Sequence, residues 1–128
     1  MAQRRPPRHI ATGSRAEQLA RRWLEARGLQ HMGSNFRCRA GEIDLVMRDG
    51  DCIVIVEVRY RRSRSHGGAT ASVMRQKQQR IIRATRFLLR RYPHLASRPL
   101  RFDVVAISGP LDMPDYNWLQ RAFDCSPP

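Results

Sequence analysis

Between Gly41 and Tyr60 the chain reads GEIDLVMRDGDCIVIVEVRY, two alternating or apolar runs on either side of Asp49-Gly50. Residues of this kind suit extended backbone, and a two-residue Asp-Gly turn joins antiparallel strands. The segment predicts a hairpin with strands over 42–48 and 51–60. Such a turn pairs Arg48 with Asp51 and Glu42 with Glu57. Because side chains alternate along a strand, one face then carries Ile43, Leu45, Met47, Cys52, Val54, Val56 and Val58, and it belongs in a core. The other carries Glu42, Asp44, Val46, Ile53, Ile55, Glu57 and Arg59.

On that second face Glu42 opposes Glu57 directly and Asp44 lies diagonally from it, an arrangement that like-charge repulsion disfavours. The acids need a compensating cation. Arg37, Arg39, Arg59 or Arg61 could supply it in a partly exposed network. A divalent metal, Mg²⁺ or Mn²⁺, would suit hard carboxylate oxygens with room for water, and this is the expectation carried forward. Glu17 can join the cluster from a preceding helix, although Ser14-Arg15-Ala16-Glu17 also reads as a capping box and Glu17 precedes Arg21 by four residues.

Around the hairpin, Ala16, Leu19, Ala20, Trp23 and Leu24 predict a helix over 14–27 ended by Gly28, followed by a weak strand over 29–37. The basic, glycine-bearing stretch 61–71 reads as a mobile loop. A long helix over 72–92 is stopped by Pro93, a strand follows over 101–108, and a short helix over 116–123 would bury Trp118, Leu119, Ala122 and Phe123. The order predicts one α/β domain over 13–124, layered around a small mixed sheet, with a disordered basic arm over 1–12 and a tail over 125–128.

Composition now matters, because 24 Lys and Arg stand against 11 Asp and Glu in 128 residues, a formal charge of +13. So small and basic a body calls for a polyanion, nucleic acid or an acidic membrane surface. The long helix lacks the aromatic stripe that would anchor it in lipid, so no membrane partner is expected. The longest strictly apolar run, 52–56, is too short to span a bilayer, and the first twelve residues hold no apolar segment of a secretory signal. Cys38, Cys52 and Cys125 form no CxxC pair, which fits a reducing, cytoplasmic setting.

Every basic residue is Arg except Lys77. On a helical wheel begun at Met74, Arg75, Gln79, Arg83, Arg86 and Arg90 form a cationic face, while Met74, Ile81, Ala84, Thr85 and Leu88 fill the opposite arc. Lys77 falls inside the apolar arc. It can snorkel to the edge or reach Asp44 or Glu57 on the sheet beneath. Both readings stay open at this level.

Gly41-Glu-Ile-Asp-Leu-Val46, Val56-Glu-Val-Arg-Tyr-Arg-Arg-Ser63, His66-Gly-Gly-Ala69, Lys77 and Arg101-Phe-Asp-Val-Val-Ala-Ile107 occur in that order. Together, over about residues 13–123, they resemble the YraN-like family of small bacterial proteins. That family is regarded as predicted nucleases of the restriction-endonuclease-like superfamily, akin to archaeal Holliday-junction resolvases. The resemblance implies a central mixed sheet with flanking helices and a metal site written as Asp, a spacer, then Glu-x-Lys. Asp44 and Glu57 match the two acids, the carbonyl of Val58 could add a ligand, and Glu17 matches the first-helix acid of the resolvases. The Lys of Glu-x-Lys is Arg59 here. Arginine stays protonated and is a poor base, though it can clamp a phosphate oxygen; Lys77 is the one lysine available as a displaced substitute.

The expectation is therefore a Mg²⁺- or Mn²⁺-dependent endonuclease-like protein acting on DNA, branched or damaged. Asp44 and Glu57 hold the metal, Glu42 and Glu17 assist, and Arg59 and Lys77 face the phosphate. Arg61, Arg62 and Arg64 in the loop, with Arg75, Arg83 and Arg86 on the long helix, hold the backbone. The alternative is a non-catalytic nucleic-acid binder, of DNA, RNA or the ribosome, on a degenerate nuclease scaffold. A homodimer is compatible with either.

Overall fold

The computed structural model describes residues 8–65 and 68–125, with side chains from Ser14 onward. Most of the expected basic arm, His66 and Gly67 of the loop, and the last three residues of the tail lie outside the described residues. Two helices and five strands make up the architecture: α1 (Arg8–Glu25), β1 (Gln30–Cys38), β2 (Gly41–Asp49), β3 (Cys52–Arg61), α2 (Arg75–Arg91), β4 (Leu100–Ser108) and β5 (Asp115–Phe123). The strands lie side by side in chain order. β1, β2 and β3 are antiparallel, α2 crosses over so that β4 runs parallel to β3, and β5 returns antiparallel to β4.

Each helix covers one face of this mixed sheet. Ala16, Ala20 and Leu24 of α1 pack on Leu45, Met47, Val54, Val56, Val105 and Ile107. On the other face, Ile81, Ala84 and Leu88 of α2 pack on Val46, Ile53, Ile55, Phe102 and Val104. With both faces buried, the central strands hold near-continuous apolar runs, as CIVIV and DVVAI show. At roughly 1.5–3 kcal/mol for each large apolar side chain removed from water, these two layers are the main favourable contribution to the fold.

The hairpin forms, but in another register. Leu45 pairs with Val56 and Asp49 with Cys52, so Gly50 and Asp51 are the central turn residues. Gly50 has φ of 59°, as glycine does at the first central position of a type II′ turn, whereas the expected turn put it second. Every pairing slides by two residues. A two-residue slide keeps each side chain on its face, which is why the apolar groups still bury as the alternation predicts. It does remove Glu42 from its place opposite Glu57. Ile43 also departs from the alternation, joining the α2 layer where Leu45 joins that of α1.

The expected last helix is strand β5. The spacing of Trp118, Leu119, Ala122 and Phe123 imitates a helix because the strand is irregular: Val104 pairs with Leu119 but Phe102 with Phe123, and Arg121 has φ of 53°. Tyr116 and Trp118 consequently pack on the α1 side and Ala122 and Phe123 on the α2 side. Asp103, fully buried, holds the irregularity by accepting the Arg121 N–H at 3.0 Å, the Trp118 indole N–H at 2.9 Å and the Arg101 Nε at 3.1 Å. Arg101 extends the network to Asp49 at 3.0 Å.

Two helix boundaries also move. α1 runs through Ser14, so Ser14 lies inside the helix and forms no capping box with Glu17. α2 begins at Arg75, and Met74, at the cap position, is exposed rather than part of the apolar arc. Ile81, Ala84, Thr85 and Leu88 are buried as expected. Pro93 opens a short 3-10 turn, Pro93–Leu95.

Candidate functional site

Pairing between β2 and β3 ends at Leu45 and Val56. One residue further on, Asp44 and Glu57 occupy equivalent levels of the parting strands and their carboxyl groups hydrogen-bond each other. Asp44 Oδ2 accepts the Val58 N–H at 2.8 Å. The backbone donor that would otherwise continue the ladder thus orients an acid instead. Burial, reinforced by the hydrogen bond and charge of Glu57, raises the Asp44 pKa far above the usual carboxylate range; the Val58 N–H opposes the shift and the charge of Glu17 adds to it. Two adjacent acids in a dry setting share a proton in preference to both ionising.

The α2 layer supplies the cation. Lys77 Nζ lies 2.8 Å from Glu57 Oε2, with the carboxylate only 5% exposed and the lysine side chain 49% exposed. The ammonium approaches off the hydrogen-bonding direction, leaving Oε2 without a well-directed donor. Of the two acids open to Lys77 from sequence, the helix delivers it to Glu57.

Glu17 approaches from α1 on the opposite layer. It hydrogen-bonds Asn35, which lowers its pKa, but burial outweighs this and raises it, with Glu42 and Glu57 adding repulsion and Arg37 relieving some of it. Asn35 was not singled out from sequence. Its φ of 55° is the left-handed conformation that asparagine tolerates better than most residues, and Asn within an otherwise extended stretch was the available signal.

The other expected site residues scatter. Glu42 is not part of the acid pair: in the observed register it faces Arg37 across β1, with Nε and Oε2 3.4 Å apart and both side chains more than half exposed. Val58 contributes its N–H to Asp44. Arg59 is half-buried beside Ala106 of β4 and has no ion-pair partner among the described residues. Arg61 and Arg62 are exposed at the end of β3. Arg64 is engaged within the protein, by Asp115 through Nε and by the Met113 carbonyl through Nη2. The Ala69 N–H donates to Ser108 Oγ at 2.7 Å, so the loop read as mobile is fastened on both sides of the undescribed pair. Arg75, Arg83 and Arg86 are exposed on α2, on a side of the helix remote from Ile81 and Leu88. Among the described residues no group of three or more His, Cys, Asp or Glu is arranged to hold a metal ion.

Fold and site together define a mixed-sheet α/β protein with an acid pair where two strands part, Glu57 buried and Asp44 half-buried, bridged to the crossover helix by a lysine. The chain belongs to the family described as Uncharacterised protein family UPF0102, whose model matches residues 16–107 and so spans Glu17, Asp44, Glu57 and Lys77. It is similar to a UPF0102 protein of Aeromonas hydrophila, 52% identical over 118 residues, covering 91% of this chain and 88% of that one. A UPF0102 protein of Stutzerimonas stutzeri is 47% identical over 114 residues, 89% of this chain and 95% of its own. One of Klebsiella pneumoniae is 50% identical over 113 residues, 88% and 85% respectively. Membership in the family that the motifs resembled is thereby shown. Among the described residues no helix is long and apolar enough to cross a membrane.

Proposed function

We propose that this protein is a divalent-metal-dependent endonuclease acting on DNA phosphodiester bonds, on a restriction-endonuclease-like version of the mixed sheet. The carrying observation is the contact of Asp44 with Glu57 beside Lys77. Burial and the neighbouring Glu57 raise the Asp44 pKa to about 9, so at neutral pH the fold holds a proton there that the unfolded chain has released, at a cost in stability. A half-exposed lysine returns about 1 kcal/mol or less. An arrangement that loses stability on balance makes sense where a bound cation later compensates it.

Two carboxylates suit Mg²⁺ or Mn²⁺, which bind through one or two acids and keep several waters, although among the described residues no third acid groups with them. Asp44 and Glu57 offer hard carboxylate oxygens, and Glu57 Oε2, beside Lys77 Nζ, has no hydrogen-bond donor of its own. Glu17 and the Val58 carbonyl are the nearby oxygens that could complete the set. The cation would supply Lewis-acid neutralisation of charge developing on the phosphate. The protein's own residues do the rest. The Val58 N–H fixes Asp44. Lys77, with half its side chain in solvent, can place its ammonium against a phosphate oxygen while still touching Glu57. Arg59 can clamp a second oxygen. Lysine loses its proton far more readily than arginine, so Lys77 is the group suited to proton transfer.

Incubating the protein with linear, flapped and four-way-junction DNA in Mg²⁺ or Mn²⁺, beside an Asp44→Ala/Glu57→Ala variant, tests the reading. Cleavage by the native chain and none by the variant is expected. Cleavage that survives the double substitution would remove the assigned site.

Arg59 favours a second reading, because a permanently protonated side chain stands where the related nucleases have lysine. A non-catalytic nucleic-acid binder would leave every DNA intact under all conditions while keeping salt-sensitive binding.

A further inference from the structure

The acid pair uses only one side of α2. On another side, Arg75, Gln79, Ile82, Arg83 and Arg86 form one wall of a groove of about 850 Å³ whose other wall is the end of β5, chiefly Phe123. α2 holds no Asp or Glu in its 17 residues, so its arginines have no neutralising partner one turn away. Arg83 and Arg86, three residues apart, repel each other. Asp124 lines the groove too and is engaged within the protein, so three arginines stand against one acid there. A concave site with this charge fits an anionic ligand.

Shape and chemistry narrow the ligand further. The groove spans α2 from Arg75 to Arg86, about 16 Å of helix rise, which suits a chain-like anion better than a single phosphate. Its interior is partly apolar: Ile82 lines it, as does Phe123, whose ring stacks on Phe102 with centroids 4.8 Å apart and is thereby held in place. A duplex keeps its base faces stacked inside and offers phosphates, sugars and base edges but no face for a ring to stack on. A single strand presents phosphates and base faces together, the combination that a row of cations over an aromatic platform recognises. Gln79 adds an amide able to hydrogen-bond base edges, while the Gln78 amide nitrogen is committed to the Val73 carbonyl at 2.7 Å.

We propose that the groove between α2 and the end of β5 binds a single-stranded nucleic-acid segment, with phosphates on Arg75, Arg83 and Arg86 and bases against Phe123 and Ile82. The inference rests on the reading that the partner is nucleic acid, not on cleavage. It sharpens that reading to substrates with an unpaired strand. Arg75 and Lys77 lie two residues apart at the start of α2 and project from different sides of it, so the groove is a surface separate from the acid pair.

The test is fluorescence anisotropy in EDTA with labelled oligo(dT), oligo(U) and a duplex of equal length, using the full chain. Arg83→Ala/Arg86→Ala is compared with Arg15→Ala/Arg22→Ala, which removes equal charge from exposed positions of α1 on the other layer, and circular dichroism confirms that both fold. Either strand should bind more tightly than the duplex, the sugar preference telling DNA from RNA. The groove variant should lose about tenfold in affinity and about 1.4 in the magnitude of the log–log salt slope, as expected for two phosphate contacts on a single strand. The control should change affinity much less. Duplex bound as tightly as single strands, or equal losses in the two variants, overturns the proposal. Strand binding retained by a native chain that cleaves no DNA would leave the groove standing and remove the nuclease reading, so the two fail separately.

Discussion

Lys77 Nζ meets Glu57 Oε2 at 2.8 Å, tying the crossover helix to the sheet at the level where β2 and β3 part. One partner is buried and the other half in solvent, so the contact restrains the acid without sealing it from a ligand. Its worth can be measured directly. Lys77→Met should cost about 1–2 kcal/mol in urea unfolding at pH 7, a buried-pair penalty reduced for the exposed lysine. Adding Glu57→Gln should recover part of that loss; strictly additive costs would show that the pair is not coupled.

Stability should fall with rising pH through the action of Asp44. Its pKa is near 3.8 in the unfolded chain and is raised to about 9 in the fold. Between those values the folded state holds a proton that the unfolded state has released, so unfolding becomes easier as pH rises across the window. Asp44→Asn, which can still accept the Val58 N–H, should flatten the Tm profile and be more stable than the native chain at pH 8 by about 1–2 kcal/mol. A profile of unchanged slope would rule out Asp44 as its source.

Mg²⁺ or Mn²⁺ should raise the Tm of the native chain at pH 8, where binding displaces the Asp44 proton most readily, and have little effect at pH 4, far below the raised Asp44 pKa. Differential scanning fluorimetry reads this without any nuclease assay. Asp44→Asn should abolish most of the shift.

Asp103→Ala should destabilise the domain by about 3–5 kcal/mol. It leaves the Arg101 Nε, the Trp118 indole N–H and the Arg121 N–H without an acceptor at once, while Arg101 keeps only Asp49. Chemical denaturation measures the loss, and near-ultraviolet circular dichroism should report disorder around Trp118.

Gly41→Ala should cost about 1–3 kcal/mol, because an added Cβ would stand 2.6 Å from the Arg80 carbonyl oxygen of α2. That close approach brings the start of β2 against the helix that carries Lys77. Thermal melts of the variant check it.

Much of this was legible beforehand where periodicity speaks. The alternation of 41–60 placed Leu45, Met47, Val54 and Val56 on one layer and Val46, Ile53 and Ile55 on the other, and the wheel of α2 placed Lys77 toward the sheet. Faces survive a slip of two residues, so an incorrect turn assignment did no harm there. Opposition does not survive it, and Glu42 was consequently paired with Glu57 when its neighbour is Arg37. In β5 the irregularity at Arg121 converted a strand into a helical pattern on paper. Asp103, which stabilises that irregularity, carries no periodic signal because its partners come from β5 and from its own strand.

The sequence by itself determined the two-layered α/β plan, the family, the cationic surface and the identity of Asp44, Glu57 and Lys77 as residues to watch. All of these depend on local periodicity or residue type. Only the tertiary structure decided which acids touch, because contact across a hairpin turns on whether Gly50 is first or second in its turn. It also decided that Lys77 meets Glu57 and that the α2 arginines share a groove with β5. Those relationships join segments far apart in the chain, and they exist only once the helix has docked and the last strand has found its register.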